Sequence, residues 1–505
     1  MPVYQSMEEI WDAIVVGGGL GGLAFASRYA KEGNRVLVLE KGIHPGGCAS
    51  SFDRAGFRFE SGATTVVGWE EGLPLAQLER DLGIQFPRIP LSPSMVVLWK
   101  DKELIRYPER EKWQKEIARV FGKSKRMEWF WRFLFFLSDG LWSISGRYLH
   151  FPIANGKDIF RLLRTLRPKD ILIFCASFLP FRWVLKIFGL EGKEEWISFL
   201  DEQLMITNQC KSKEAPLLTA AAGLCYPNLI NTYIPGGILR LSETLVEYLE
   251  KNRGECHLKE EVIRIRKDGS ESGQDLFQVV TKKSTYYSKV VVCNIPIWNV
   301  EPLLSEEIPA RLHAIRRFEE GIYSAFTMGV VLRTSSLVPK SYHYQIHLSA
   351  PLPEGGGDSI FVSLSHPEDK LRSRDGVLVL SISTHVSDPE TWRERGKDYQ
   401  NHKQIWVDTI LSQLAESLPW FRKEEIIALH SASPLSWQTW TGRKLGRVGG
   451  IPFSYFSNPF RFLSPNVLSV KGLYLCGDTV YPGQGIPAVV LGGSHLAQRL
   501  QKKEI

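Results

Sequence analysis

Three stretches of this 505-residue sequence predict an α/β fold with a parallel sheet. Each combines a short apolar run, a glycine-rich turn and a helix-forming segment, and they lie at residues 12–70, about 225–300 and about 440 to the end. Strands that alternate with helices in this way are typical of parallel sheets. The segments between them are Trp-rich and basic, which indicates a second domain inserted in two pieces.

Composition sets the bounds. With 44% hydrophobic and 23% charged residues, the chain can bury the core of more than one domain. Seven scattered cysteines without a C-x-x-C pair argue against a disulfide framework or a zinc site and fit a reducing cytosol. The first twelve residues are acidic and lack the basic flank of a signal peptide, so we expect no export. No metal site is predicted.

The first glycine cluster indicates the chemistry. Residues 13–16, AIVV, predict a buried parallel strand, and the GGGLGG that follows contains G-x-G-x-x-G through Gly17, Gly19 and Gly22. A helix should continue over residues 23–33. Gly17 permits a tight turn, Gly19 lets a pyrophosphate approach the helix N-terminus, and Gly22 allows close helix packing.

The second predicted strand supplies an acidic residue at the expected distance. Residues 36–40, VLVLE, follow the helix, and Glu40 stands 18 positions beyond Gly22. A carboxylate there can accept hydrogen bonds from an adenosine ribose. Strand, motif, helix, strand and acid in register predict a Rossmann-like dinucleotide site.

The residues after this strand resemble a known family. Residues 40–52, EKGIHPGGCASSF, and 57–68, FRFESGATTVVG, resemble the flavoprotein superfamily of amine oxidases and carotenoid desaturases. The resemblance implies non-covalent FAD in a binding domain of the glutathione reductase/amine oxidase type, with an inserted α+β substrate domain. Many members have Arg after the glycine pair, whereas this chain has Cys48, so no arginine contact is expected there. The implied FAD contacts in this region are Glu40, Lys41, Gly46, Gly47 and Gly62.

A second glycine cluster lies near the C-terminus. Residues 472–478, GLYLCGD, predict a strand, and residues 486–500 predict a helix with Pro487 in its first turn. The resemblance implies that the loop between them returns to the same FAD, where a helix N-terminus would stabilise a reduced, anionic flavin. The implied contacts are Gly477 and Asp478 at the ribityl chain and Gly485 and Ile486 at the pyrimidine edge.

Three further matches extend the resemblance over nearly the whole chain. Residues 233–265 resemble the segment that brings a backbone valine, here Val262, to the adenine, and residues 290–296 resemble the strand that leaves the FAD domain. Residues 433–452, together with residues 477–493, look most like carotenoid isomerases, carotenoid 3,4-desaturases and retinol saturases. The expected FAD-binding domain comprises residues 1–95, 225–300 and 440–505, and the expected substrate-binding and membrane-associating domain comprises 96–224 and 301–439.

The resemblance implies a desaturase that transfers hydride from a polyene C–H to flavin N5, with a carotenoid or related isoprenoid as substrate. Three alternatives stay open: a carotenoid cis–trans isomerase that uses reduced FAD, a reductase similar to retinol saturases, and a prenyl-lipid carrier similar to Rab GDP dissociation inhibitors, which do not depend on FAD. No catalytic residue is predicted. Asp201 and Glu202 could serve as acid/base groups or lie on a helix surface or in a salt bridge.

A basic, aromatic region predicts contact with an anionic membrane. Between Lys100 and Leu190 there are 19 Lys and Arg but 9 Asp and Glu, a larger surplus than the net charge of +7 for the whole chain. Residues 129–136, WFWRFLFF, and 171–190 are interleaved with this charge, which suits a peripheral surface on the inner face of a membrane. Core helices with solvated basic faces are the alternative. Nucleic acid is not expected, because no recognition motif accompanies the charge.

Overall fold

Two seven-stranded sheets organise the protein in the computed structural model, which describes residues 10–99, 102–153, 156–268, 276–304, 321–333, 339–372, 376–456 and 462–504. The strands are β1 Ile10–Val16, β2 Val36–Leu39, β3 Ser51–Arg54, β4 Phe57–Glu60, β5 Ile89–Pro90, β6 Met95–Trp99, β7 Lys102–Arg106, β8 Thr232–Tyr233, β9 Gly254–His257, β10 Val262–Asp268, β11 Leu276–Thr281, β12 Thr285–Cys293, β13 Ser324–Arg333, β14 His343–His347, β15 Ser359–Leu364, β16 Val377–Val386, β17 Ile426–Ala432 and β18 Leu473–Leu475.

Helices cover both sheets. They are α1 Leu20–Lys31, α2 Pro74–Leu82, α3 Arg110–Phe121, α4 Lys125–Arg147, α5 Gly156–Thr165, α6 Pro168–Ala176, α7 Phe181–Ile187, α8 Glu194–Asn208, α9 Leu217–Cys225, α10 Leu239–Lys251, α11 Ile297–Val300, α12 Glu390–Glu394, α13 Tyr399–Ser417, α14 Pro434–Thr441 and α15 Ile486–Gln501.

The first sheet has the strand order β10-β11-β12-β1-β2-β9, and β18 pairs with the second half of β12. Strands β18, β12, β1, β2 and β9 are parallel, so their carboxyl ends meet at one edge of the sheet. We call this the carboxyl edge. In open parallel sheets, ligands bind outside the carboxyl ends of the strands.

The glycines of the first helix bring two helices unusually close. Helix α1 begins at Leu20, three residues earlier than the sequence predicts, because Gly19 itself serves as the N-cap with an extended backbone. Helix α15 packs on α1, and a Cβ atom built on Gly493 would lie 2.0 Å from the Gly21 carbonyl oxygen. Only glycine permits this backbone contact. The predicted strands of residues 13–16, 36–40 and 472–478 are present as β1, β2 and β18.

The second sheet has the order β17-β13-β16-β15-β14-β6-β7 and draws its strands from residues 95–106 and 324–432. Helices α4, α8 and α9 form a separate layer with their own aromatic core. Most of the segment 129–136 belongs to this core: Phe130, Trp131 and Leu134 are fully buried, whereas Trp129, Arg132 and Phe136 are exposed. The interpretation of this segment as a membrane surface is therefore wrong for its buried residues, because α4 packs against α9.

Candidate dinucleotide and substrate site

One cavity of about 1330 Å³ connects the carboxyl edge with the helical layer. Small-molecule pockets usually measure about 300–1,000 Å³, so this cavity has room for a dinucleotide and part of a second ligand. At the carboxyl edge its walls come from the two glycine clusters and the loops that follow β1, β2 and β18. At the other end they come from α4, α5, α6 and α9.

Glu40 connects the loops after β1 and β2 through two hydrogen bonds. Its Oε2 accepts a hydrogen bond from the Gly18 amide, and its Oε1 accepts one from the Gly42 amide, each at 2.6 Å. Burial raises the pKa of the Glu40 carboxyl, and the two amide donors oppose that shift. The carboxylate thus holds the turn in place while it also lines the cavity.

Asn294, which directly follows β12, contacts both glycine clusters. Its Nδ2 donates to the carbonyl oxygens of Gly17 and Gly19, each at 3.1 Å. A Cβ atom on Gly19 or Gly22 would lie 2.8 Å from this Nδ2, and one on Gly477 would lie 3.0 Å from Oδ1. The glycines therefore make room for an asparagine side chain as well as for a ligand.

The glycine pair after β2 lies directly against the first cluster. The Gly46 amide donates to the Gly18 carbonyl at 2.8 Å, and Gly46 and Gly47 both have positive φ, at 106° and 62°. Such angles favour glycine. A Cβ atom on Gly47 would lie 3.6 Å from the Gly19 Cα. The loop therefore faces the N-terminus of α1, where a pyrophosphate is stabilised by backbone N–H groups.

Lys41 and Val262 lie at the outer end of the carboxyl edge. The Lys41 ammonium pairs with Glu261 at 3.3 Å, and the Lys41 side chain is 45% exposed. Val262 begins β10 and lines the cavity. This end of the cavity is therefore close to solvent.

The C-terminal loop contributes a buried ion pair. Asp478 follows β18 and Gly477, and its Oδ2 accepts from Arg443 Nη2 at 2.6 Å. The two side chains are only 15% and 13% exposed. Burial lowers the pKa of Arg443, but the opposite charge of Asp478 outweighs this effect and leaves it above the usual value. Gly485, with φ of 99°, caps α15, and Ile486 is its first residue.

Gly62 lies beside an aromatic wall. A Cβ atom there would lie 2.9 Å from Trp437 Cη2 and equally close to the Cys48 carbonyl oxygen. Trp437 belongs to α14 and lines the cavity. This close approach gives a flat apolar surface next to the position at which the family resemblance places the flavin ring.

The end of the cavity at the helical layer is mainly apolar. Its lining includes Leu141 and Ile144 of α4, Leu162 of α5, and Ile173 and Phe174 of α6. Asp201 and Glu202 do not line the cavity, whereas the next residue, Gln203, does. Asp201 accepts from the Ser212 amide at 2.8 Å, and Glu202 is buried, which raises its pKa. The structural role is therefore the better interpretation of these two carboxylates.

The cavity brings the residues that the sequence analysis assigned to the cofactor together, with a single exception. Gly22 packs on Asn294 outside the lining; the residues in the lining are Gly17, Gly19, Glu40, Lys41, Gly46, Gly47, Gly62, Val262, Gly477, Asp478, Gly485 and Ile486. The positive-φ glycines and the free approach to the N-terminus of α1 fit a dinucleotide. The sequence prediction missed Asn294, Arg443 and Trp437. A polar residue directly after a predicted parallel strand could have indicated Asn294, but nothing comparable marks the other two.

Comparisons with known proteins agree with this geometry. Residues 15–82 match the model of the NAD(P)-binding Rossmann-like domain, so the chain contains a dinucleotide-binding domain. Prolycopene isomerase 2 of an Oncidium hybrid cultivar is 26% identical over 97% of this chain and 84% of its own length. The 1-hydroxycarotenoid 3,4-desaturase of Flavobacterium sp. is 24% identical over 95% of this chain and 96% of its own length.

Solved structures support the fold. An oxidoreductase from Methanosarcina mazei superposes with a TM-score of 0.62 at 18% identity, over 96% of this chain and 99% of its own. Putrescine oxidase superposes with a TM-score of 0.61 at 15% identity, over 97% and 99%. Over nearly its whole length, the chain is similar to carotenoid isomerases and desaturases, and also to a phytoene desaturase and a retinol reductase.

Proposed function

We propose that this protein binds FAD non-covalently and desaturates a carotenoid or a related isoprenoid. The observation that carries the proposal is the continuous cavity, which joins a dinucleotide site at the carboxyl edge to an apolar chamber among α4, α5 and α6. A cofactor and a polyene can meet only where such a connection exists. The carotenoid-converting relatives give the substrate class.

Each part of the site has a role in this proposal. Glu40 accepts from the adenosine ribose, Val262 lies at the adenine, and the loops containing Gly19, Gly46 and Gly47 face the pyrophosphate. Asp478 lies at the ribityl chain, and Gly62 and the start of α15 lie at the ring. Bound FAD supplies an acceptor for the hydride removed from the polyene. The apolar walls orient the polyene and exclude water from it.

Cofactor content tests the first half of the proposal. The purified protein should be yellow and should release about one FAD per chain on denaturation, as measured by absorbance and chromatography. Tightly bound NAD in the absence of flavin would contradict the assignment.

The mass of the product tests the second half. With a carotenoid and an electron acceptor, we expect a product two hydrogens lighter than the substrate, with one reduction and reoxidation of the flavin per turnover. The measurement is mass spectrometry of pigments extracted from reactions and from carotenoid-producing cells that express the protein. A substrate that is bound but returned unchanged would support the carrier alternative.

The isomerase alternative is favoured by one observation: prolycopene isomerases are among the full-length relatives, at 25–26% identity. An isomerase would give a product of unchanged mass, formed only while the flavin is kept reduced. The same mass measurement, repeated with and without a reductant, therefore separates the two reactions. A product heavier by two hydrogens would indicate a reductase.

The polyene is insoluble in water, and the surface of three helices suggests how it arrives. Helices α5, α6 and α7 expose Ile159, Phe160, Leu163, Ile171, Leu172, Trp183 and Ile187, which we call the apolar patch. The inward residues Leu162 and Ile173 of the same helices line the cavity. A polyene taken up at this patch would have to cross only one layer of helix to reach the chamber.

The charge around the patch fits an anionic bilayer. Asp158 and Asp170 are the two acidic residues of the described span 156–187, and both are buried. The exposed basic residues of this span are Lys157, Arg164, Arg167, Lys169, Arg182 and Lys186. Each basic residue near an anionic surface contributes about 1 kcal/mol. No helix in the described part of the chain is long and apolar enough to cross a membrane.

We propose that the protein binds peripherally to the inner, cytoplasmic face of a membrane. In this proposal residues 96–224 and 301–439 form the membrane-associating and substrate domain, and the remaining residues bind FAD. Arg182→Glu combined with Lys186→Glu should reduce sedimentation with anionic liposomes several-fold and leave the flavin spectrum unchanged. Lys502→Glu with Lys503→Glu, an equal charge change on exposed residues at the end of α15, is the control. Equal binding by both double variants and the unaltered protein would contradict membrane contact through α7.

A further inference from the structure

We propose that Arg443 binds the pyrophosphate of the dinucleotide and so supplies the positive charge that the loop after β2, with Cys48 behind its glycine pair, lacks. This inference rests on the proposed cofactor site and deepens it. Arg443 lies about 400 residues along the chain from that loop, in the turn that follows α14.

The position of Arg443 is fixed by three segments that face the dinucleotide site. Its guanidinium contacts the Cys48 thiol, which directly follows Gly46 and Gly47, and it donates to Asp478 at 2.6 Å. The backbone of its neighbour Gly442 lies beside Lys41, since a Cβ atom there would be 3.5 Å from the Lys41 Nζ. The guanidinium therefore lies between the glycine-pair loop and the C-terminal loop.

The backbone orients the guanidinium as well. Arg443 Nη1 donates to the carbonyl oxygens of Gly449 and Arg447, at 3.2 and 3.4 Å. These bonds and the Asp478 carboxylate hold the planar group in one orientation along the cavity wall, where Arg443 is part of the lining. A guanidinium has five N–H donors, and a thiol is a weak acceptor, so a phosphate oxygen beside Cys48 gains a much stronger hydrogen bond from the same group.

Charge balance favours the same role. Glu40 and Asp478 both line the cavity near the N-terminus of α1, and a pyrophosphate brings two further negative charges. Among the described residues, the cations in the lining next to Glu40 and Asp478 are Lys41, which is 45% exposed and paired with Glu261, and Arg443, which is 13% exposed. In a buried setting opposite charges interact more strongly than in water, so the buried guanidinium stabilises an incoming anion more than the exposed ammonium does.

The competing interpretation is that Arg443 only neutralises Asp478. ADP binding to the apoprotein separates the two, because ADP carries the pyrophosphate without the flavin and adenosine carries neither phosphate. Arg443→Met should weaken ADP and FAD by a similar factor, roughly 10- to 100-fold for one lost charged hydrogen bond, and leave adenosine binding unchanged. Arg443→Lys should fall between, because lysine keeps the charge and loses the planar fork. Binding is measured by calorimetry at two salt concentrations.

The double variant Arg443→Met, Asp478→Asn decides the matter. If Arg443 contacts phosphate, ADP affinity stays low and its salt dependence stays weaker than in the unaltered protein. Recovery of ADP affinity in the double variant, or an equal loss of ADP and adenosine affinity in Arg443→Met, would overturn the proposal. Arg88→Met, which removes an arginine paired with Glu79 away from the cavity, controls for general destabilisation, with thermal unfolding recorded for every variant.

This experiment also distinguishes failure of the inference from failure of the proposed function. An unaltered protein that binds ADP but no FAD would contradict the flavin assignment, while the effect of Arg443→Met on ADP would still test the phosphate contact. An unaltered protein that binds neither ligand would overturn both.

Discussion

The two ends of the cavity are built by opposite means. At the carboxyl edge, backbone atoms form the surface, and Asn294 occupies the space that side chains on Gly19, Gly22 and Gly477 would take. At the helical end, large apolar side chains such as Ile173 and Phe174 form the walls. Few substitutions are compatible with the first arrangement, whereas many apolar residues of similar size would satisfy the second. If the proposed function is right, cofactor binding depends on the lack of side chains at one end of the cavity, and substrate binding depends on large side chains at the other.

Gly19→Val should have the largest effect on FAD binding, because it places a side chain at the carboxyl edge, where Asn294 already fills the space. The new Cβ would lie 2.8 Å from Asn294 Nδ2, and the branched side chain would also project where a pyrophosphate approaches the N-terminus of α1. We expect no detectable FAD in the purified protein, measured by absorbance after denaturation. Gly192→Val is the matched control, since Gly192 has no atom within 4 Å of a built Cβ and no positive φ. A yellow Gly19→Val protein would show that the edge is more tolerant than we infer.

Asn294→Asp should have the next largest effect. It preserves the shape of the side chain but removes the Nδ2 donor from the Gly17 and Gly19 carbonyls and sets a carboxylate against them. An unsatisfied buried group costs about 1–3 kcal/mol, so FAD affinity should fall roughly 10- to 100-fold. Flavin fluorescence titration measures the loss of FAD affinity, and the midpoint of thermal unfolding measures the cost to stability. Unchanged affinity would mean that the glycine loops keep their shape without the asparagine.

A pH titration of FAD affinity should give a smaller effect centred on Glu40. Burial raises the pKa of Glu40, and only the ionised carboxylate has all its oxygen lone pairs free to accept from a ribose, so affinity should fall as pH drops through this raised pKa. For stability of the apoprotein the sign is opposite: the contribution of a carboxyl with a raised folded pKa is lost as pH rises through that pKa.

Glu40→Gln identifies the titrating group. The amide stays neutral across the acidic range, so this variant should bind FAD several-fold more weakly above the raised pKa and show a flatter pH profile. An unaltered pH dependence in Glu40→Gln would assign the titration to another residue.

Phe174→Ala should have the smallest effect on FAD binding. It tests the helical end of the cavity, where we expect many apolar substitutions to be tolerated. Phe174 is partly buried on α6 and lines the cavity. Its ring packs edge-to-face on Phe178, with the ring centroids 5.3 Å apart. We expect unchanged FAD content and a KM for the polyene raised a few-fold, measured in steady-state assays in detergent. Phe174→Leu should restore most of the affinity. A loss of flavin in Phe174→Ala would show that the two ends are coupled more closely than their construction suggests.

The sequence predicted the carboxyl edge far better than the helical end, for a physical reason. A turn that needs positive φ, as at Gly17 and Gly46, accepts few residues other than glycine, so spacing alone identifies it. Aromatic residues give no comparable signal, because Trp131 in the core and Trp129 at the surface look alike in a basic segment. The exposed face of α5, with Ile159, Phe160 and Leu163, was not predicted for this reason. The domain boundaries and the cofactor contacts stay predictions.

Contacts between residues far apart in the chain were also not predicted from the sequence. Asn294 lies against Gly17 and Gly19, and Arg443 lies beside Cys48, in each case hundreds of positions away, and no local periodicity encodes such contacts. Glu40 shows the reverse case. The register of the motif predicted a carboxylate at the end of β2, where Glu40 lines the cavity, but did not indicate that it also accepts a hydrogen bond from the Gly18 amide.

The position of Asn294 between the two glycine clusters also governs the order in which the protein can mature. Its partners come from residues 17–22 at one end of the chain and from residue 477 at the other, and β18 closes onto β12 only when the last tenth of the chain is available. A ribosome synthesises the N-terminal glycine turn first, Asn294 after more than half of the chain, and the Gly477 loop close to the end. The two glycine clusters can therefore come together only after nearly the whole chain has been synthesised.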